Sequence, residues 1–402
     1  MLRQLHPLIP ARILCLFLFI LCLLPVSRAQ DENAWLELTV EEMMEQEITI
    51  ESTLSSIYGM SDEDMLKAMD KAIALYAAAG GDYDRLLMPD VYFIKSVALC
   101  QLDHYDEATA ALNELKENGF PVFDTNNLLK SEAYAKLGDA NVVSARDKDY
   151  QKAKSIIEES INILPTFNAY KFKAVMHQMM EESDSLEYTY TKALEAPFAP
   201  TVEFAAMLEK RGRLYFDQKL YAKAKDDFTK TLSYGPSCIS SYYRARCILE
   251  SNQYQDKSEA NQDMMSIVND DCGMLGAAPL SYIHEKLGDY YQEIGSYSSA
   301  LTYYSNSYNY DPYYYNTGWA AIAALSSQNY SACINWASKF EAELQRTRSS
   351  DYLSWLAGEV FYASGYAHWQ NGNTDRTVRD FERAKRLGNQ TAAQYLRDYF
   401  NR

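Results

Sequence analysis

Apolar, small and polar residues recur along this chain in matching segments of 34 residues. Set one above the other, "AAMLEKRGRLYFDQKLYAKAKDDFTKTLSYGPSC" (Ala205 to Cys238) and "SYIHEKLGDYYQEIGSYSSALTYYSNSYNYDPYY" (Ser281 to Tyr314) agree at six places. Glycine stands at place 8 (Gly212, Gly288) and tyrosine at 11 (Tyr215, Tyr291) and 17 (Tyr221, Tyr297). Alanine stands at 20 (Ala224, Ala300), an aromatic residue at 24 (Phe228, Tyr304) and proline at 32 (Pro236, Pro312). The pattern predicts two antiparallel helices per unit. Small residues at 8 and 20 let the helices approach closely, and the large residues at 11, 17 and 24 fill the space between them and the next unit. Proline at 32 stops the second helix and restarts the chain.

Weaker copies extend the pattern. From Pro89 the chain offers Tyr105 and Ala108. A copy from Phe123 carries about ten extra residues, "ANVVSARDKD", read as an insertion between its helices, before Tyr150, Ala153 and Pro165. A copy near Phe167 keeps "YTKALEAP", and one from Ile239 is stretched. One from Tyr315 keeps "NYSACINWASKF", and the last, from Gly358, has Gly365, Phe381 and Ala384 before a closing helix, "TAAQYLRDYF". The tyrosine run Ser307–Trp319 falls on the second helix of one copy and the start of the next, so it reads mainly as packing between units.

Period and pattern resemble the tetratricopeptide repeat. The resemblance implies an all-α, superhelical solenoid of about eight helix pairs over residues 61–402, ending in the closing helix, with a concave groove lined by the first helices. In that family, places 2, 5, 6, 9, 12 and 13 face the groove. Carried onto this chain they give Lys210, Arg213 and Phe216, then Tyr243, Arg244 and Cys247, then Tyr282, Lys286 and Asp289, and further on Trp319, Tyr362, Tyr366 and Trp369. The groove implies a protein or peptide partner. Two readings of the basic residues stay open: capture of an acidic peptide or terminal carboxylate, or pairing with neighbours such as Glu209, Glu285 and Asp289. The aromatic set Trp319, Tyr362, Tyr366 and Trp369 supports an alternative, a soluble glycan-binding protein that stacks sugar rings.

The N-terminus changes the picture of where the chain works. Arg3 and Arg12 precede the apolar run "ILCLFLFILCLL", and Ser27 and Ala29 have the spacing of a cleavage site, so residues 1–29 read as a signal peptide of an exported, periplasmic or secreted protein. Twelve apolar residues are too few to span a bilayer, which takes about 20. The chain carries a net charge of −17; without Arg3, Arg12 and Arg28, 35 basic residues face 55 acidic ones, giving −20. Such a surface excludes nucleic acid as partner. Residues 30–60 are strongly acidic and read as a partly disordered spacer or one amphipathic helix.

Catalytic and metal motifs fail on inspection. "HEKLG" from His284 lacks the second histidine of a zinc-protease motif. The remaining histidines stand far apart, and there is no nucleophile elbow or phosphate-cradling glycine loop. The expectation is a non-catalytic protein without metal or cofactor. Of the five cysteines beyond the leader, Cys238 and Cys272 occupy equivalent ends of consecutive units, where an oxidising compartment could join them. Otherwise all five are plain buried residues.

Overall fold

The computed structural model describes residues 34–57, 59–79, 87–118, 125–196, 201–251, 257–270, 272, 275–347 and 354–401; residues 1–29, expected to be a signal peptide, lie outside them. Among the described residues every regular element is helical. None of these helices is long and apolar enough to cross a membrane. The chain divides into two compact units, Met1–Phe198 and Ala199–Arg402.

The first unit opens with a 3-10 turn, Ala34–Glu37, and the helices α1 (Val40–Glu45), α2 (Ile50–Ser56) and α3 (Asp62–Ala78). Three hairpins follow: α4 (Met88–Gln101) with α5 (Tyr105–Asn118), α6 (Thr125–Val142) with α7 (Tyr150–Ile163), and α8 (Phe167–Met179) with α9 (Leu186–Glu195). The acidic segment is neither a spacer nor one helix where it is described. Thr39 and Glu42 form a reciprocal capping box, as do Thr49 and Ser52. Each box satisfies amides that a helix start leaves open. Leu36, Met43 and Ile50 are buried in the core of this unit, and Lys71 of α3 donates to the Leu38 carbonyl. Acidic side chains face water while one apolar residue per turn docks.

The expected insertion after Gly138 is not a loop between helices. Asn141 and Val142 continue α6, and Val143–Asp147 add a π-helical turn before Lys148 takes a left-handed conformation. Val142 and Val143 are buried, and their burial keeps the extra residues helical.

The second unit holds five hairpins and a closing helix. They are α10 (Thr201–Asp217) with α11 (Tyr221–Tyr234), α12 (Cys238–Glu250) with α13 (Ser258–Asn269), α14 (Ala277–Glu293) with α15 (Tyr297–Tyr310), α16 (Tyr314–Ser326) with α17 (Tyr330–Thr347), α18 (Ser354–Gln370) with α19 (Thr374–Arg386), and α20 (Gln390–Phe400). With those of the first unit, the hairpins among the described residues number eight.

Small residues act where the spacing places them. A Cβ built on Gly288 would lie 2.6 Å from the Tyr304 ring, and one on Gly365 2.6 Å from Phe381; on Gly212 it would lie 3.0 Å from Phe228. The three rings are fully buried. Glycine at place 8 thus makes room for the aromatic residue at place 24, sixteen positions on. The tyrosines at place 17 do something else. Tyr105, Tyr150, Tyr221 and Tyr297 each open a second helix, and Tyr297 is exposed rather than interior. In the tyrosine run, Tyr308 packs edge-on against Trp336 and Tyr315 against Trp319, in line with the packing reading, while Tyr310 is largely exposed.

A disulfide joins Cys238, the first residue of α12, to Cys272 beyond the end of α13, with 6.1 Å between Cα atoms. Cys100, Cys247 and Cys333 are free and buried. Burial pushes their thiols up to about 11, 12 and 12, so thiolate is scarce at neutral pH and reactivity is suppressed. A thiol titration of unreduced protein lacking residues 1–29 is therefore expected to find no fast-reacting group in the folded state and three on denaturation. Five on denaturation would contradict the bridge.

Candidate functional site

The first helices of three consecutive hairpins in the second unit, α10, α12 and α14, carry a continuous chain of rings and cations. On two of these hairpins an arginine–aspartate pair sets the register. Arg211 at place 7 of α10 grips Asp227 at place 23 of α11 with both arms, Nε to Oδ2 and Nη2 to Oδ1, each at 2.8 Å. Asp227 is almost wholly buried. Arg244 repeats this on the next hairpin, donating to Asp263 at 2.8 and 2.6 Å and lying 3.3 Å from Glu259. These bonds hold the Arg244 guanidinium above its ordinary range. On α18 and α19, Ser364 donates to Asp380 at 2.8 Å in the same places.

This corrects the expectation for Arg244. Counted from Cys238, where α12 begins, Arg244 holds place 7 and turns to the second helix, not to the groove. A one-residue error rotates a side chain by about 100° around a helix. Place 9 belongs to Arg246, which the spacing from Ile239 passed over. Its guanidinium lies 4.5 Å from the Phe216 ring centre and 5.5 Å from both Tyr242 and Tyr282, and its Nε donates to Glu250 at 2.6 Å.

Around Arg246 the structure brings together several expected residues. Tyr243 stacks on Phe228 at 5.5 Å and meets Phe216 edge-on at 5.2 Å. Arg213, exposed, lies over Tyr243 at 5.4 Å. Tyr282 meets Tyr242 edge-on, and Lys286 lies 5.7 Å from the Tyr282 ring. Lys286 is also paired with Glu285 at 2.8 Å and Asp289 at 2.9 Å. Burial works against its ammonium, and Asp289 and Glu285 more than reverse this, so its pKa stands above the usual lysine value. Lys286 therefore follows the neighbour-pairing reading. Lys210 and Arg213 do not: both are exposed, and among the described residues no carboxylate lies within ion-pair distance of either. Glu209, expected as a partner, instead accepts from Ser237 and Ser240.

The other aromatic candidates lie apart from this chain of contacts. Trp319 packs between Tyr304, Tyr315 and Trp355. Tyr362, Tyr366 and Trp369 of α18 are covered by the closing helix, whose Tyr395 meets all three at 5.5–6.1 Å and whose Tyr399 meets Trp369 at 5.1 Å. They pack as a half-buried aromatic cluster, not as an open stacking platform. Among the described residues no group of three metal-ligating side chains converges.

No protein-family model matches this chain, and no curated protein does. Among solved structures it is similar to a tetratricopeptide repeat protein from Parabacteroides merdae, at 14% identity over 77% of this chain and 98% of that one, with a TM-score of 0.27. It is also similar to the TPR2AB domain of yeast Sti1 in a pHSP90 complex, at 10% identity over 67% and 95% with a TM-score of 0.30, and to yeast Tom70, at 12% over 89% and 93% with a TM-score of 0.29. At scores this low the class stands on the hairpins themselves. Eight hairpins among the described residues, three of them with the glycine-to-aromatic contact between places 8 and 24, define an all-α protein. In pattern and packing the hairpins resemble tetratricopeptide repeats.

Proposed function

We propose that this protein is a non-catalytic interaction scaffold of the cell envelope, which holds an acidic or carboxylate-ending peptide segment of a partner along the first helices of its second unit. One observation carries the reading. In a chain of net charge −17, Lys210 and Arg213 stand exposed with no carboxylate to pair with among the described residues, beside a floor of aromatic rings. Stacking on Tyr243 orients the Arg213 guanidinium before any ligand arrives. A carboxylate would then gain charge-assisted hydrogen bonds, and the half-buried rings of Tyr243 and Tyr282 would cover the apolar part of the segment. The Cys238–Cys272 bridge suits the oxidising compartment that the leader implies.

The test is a peptide selection against the full chain. Binders are expected to be acidic, to weaken as salt rises, and to lose about tenfold or more in affinity to Lys210→Glu/Arg213→Glu, the size of a lost hydrogen bond to a charged group. Neutral binders, or sugars held equally well at high salt and by the variant, would overturn the reading.

A further inference from the structure

Away from the charged face, the second unit contains a cavity of about 320 Å3 between the end of α13, the start of α14 and the end of α15. It arises at the stretched hairpin, and its lining divides by chemistry. Ile267, Leu280 and the bridged Cys272 make an apolar floor. His284 and Tyr310 make one wall, their rings stacked 5.3 Å apart at 16°. On the other side lie Asn306 and Asn309, three residues apart on α15 and so on one face of it.

One polar atom at this cavity is buried without a partner. The imidazole of His284 is almost completely buried, and its Nδ1 has no hydrogen-bond partner. Burial also holds it below the usual histidine range, so the ring is neutral at pH 7. Neither carboxamide, of Asn306 or Asn309, is hydrogen-bonded by a side chain among the described residues. Buried polar groups are ordinarily satisfied, and the orphaned Nδ1 of His284 at an open cavity also lined by half-buried Asn306 and exposed Asn309 points to a ligand that satisfies it.

We infer that the cavity receives one aliphatic or aromatic side chain of an extended peptide, with the carboxamides of Asn306 and Asn309 bonding the peptide backbone beside it. A carboxamide offers donor and acceptor together, which matches the N–H and C=O of a peptide group. The floor decides between a peptide and a sugar: hydroxyls set against Ile267 and Leu280 would be desolvated without replacement, whereas an apolar side chain gains from burial there. His284 sits at place 4 of α14, turned toward α15, so this site uses none of the residues proposed for the charged face.

The probe is N-acetyl-leucinamide, one side chain flanked by two amides. With the full chain labelled at isoleucine methyl groups and histidine rings, its titration at millimolar concentration is expected to shift and saturate the nuclear magnetic resonance signals of Ile267 and His284. N-acetylglycinamide, which lacks the side chain, is expected to leave them unmoved. Asn306→Leu/Asn309→Leu, changed at residues that are not fully buried, should weaken the probe about tenfold, as the loss of two neutral hydrogen bonds implies. Lys210→Glu/Arg213→Glu should bind it as the parent does, so that failure here and failure of the charged-face reading can be told apart. Unmoved signals, equal binding of N-acetylglycinamide, undiminished binding by the asparagine variant, or binding of methyl glucoside in place of the probe would each overturn the inference.

Discussion

Tyr304→Ala is expected to cost about 3–5 kcal/mol of stability, as large-to-small changes of buried aromatic residues do. Tyr304 is fully buried between α14 and α15, and its hydroxyl donates to Asp289 at 2.9 Å. Its ring occupies the space that Gly288 leaves open. The same contact read from the other side predicts that Gly288→Ala alone destabilises by about 1–3 kcal/mol through overpacking. Combined with Tyr304→Leu, Gly288→Ala should cost much less than it does alone, because the smaller side chain gives back the room. Urea denaturation of the four proteins measures the coupling, and strictly additive costs would show that the glycine and the ring do not act together.

Asp227→Ala should be comparably severe, at about 3–5 kcal/mol, because it leaves the Arg211 guanidinium inside the hairpin without its carboxylate. Arg211 is only 15% exposed and Asp227 3% in their side chains. Replacing both, as Arg211→Met/Asp227→Leu, removes the buried charge together with its partner and should recover most of the loss. Thermal unfolding in parallel with Arg244→Met/Asp263→Leu would show whether the lock between places 7 and 23 acts alike in both hairpins. A mild effect of Asp227→Ala would mean that the guanidinium escapes to water and that the pair is not structural.

What could be read before folding follows from how local the cause is. Glycine at 8 and an aromatic residue at 24 repeat faithfully in the two best copies, so hairpin geometry was legible from spacing alone. Thr39 and Glu42 also spelled out a capping box, three residues apart, that the acidity of their surroundings obscured. The register of α12 was not legible from Ile239, because stretching between α12 and α13 hides the match of Arg244 to Asp263. Once arginine or serine at 7 is paired with aspartate at 23 in α10 to α11 and α18 to α19, that signal fixes the register and brings Arg246 to the face. The fate of Tyr362, Tyr366 and Trp369 depended on a different element, α20, lying across them. That no carboxylate among the described residues pairs with Lys210 or Arg213 likewise depended on which acids their neighbours engage, and no spacing rule encodes that.

Amide hydrogen exchange of the full chain, with and without an acidic peptide taken from the selection, tests the central claim most directly. Binding along the first helices is expected to slow exchange in Thr201–Asp217, Cys238–Glu250 and Ala277–Glu293 together, and to do so far less in Lys210→Glu/Arg213→Glu. Protection confined to the second helices Tyr221–Tyr234 and Tyr297–Tyr310, or to the first unit, would contradict it.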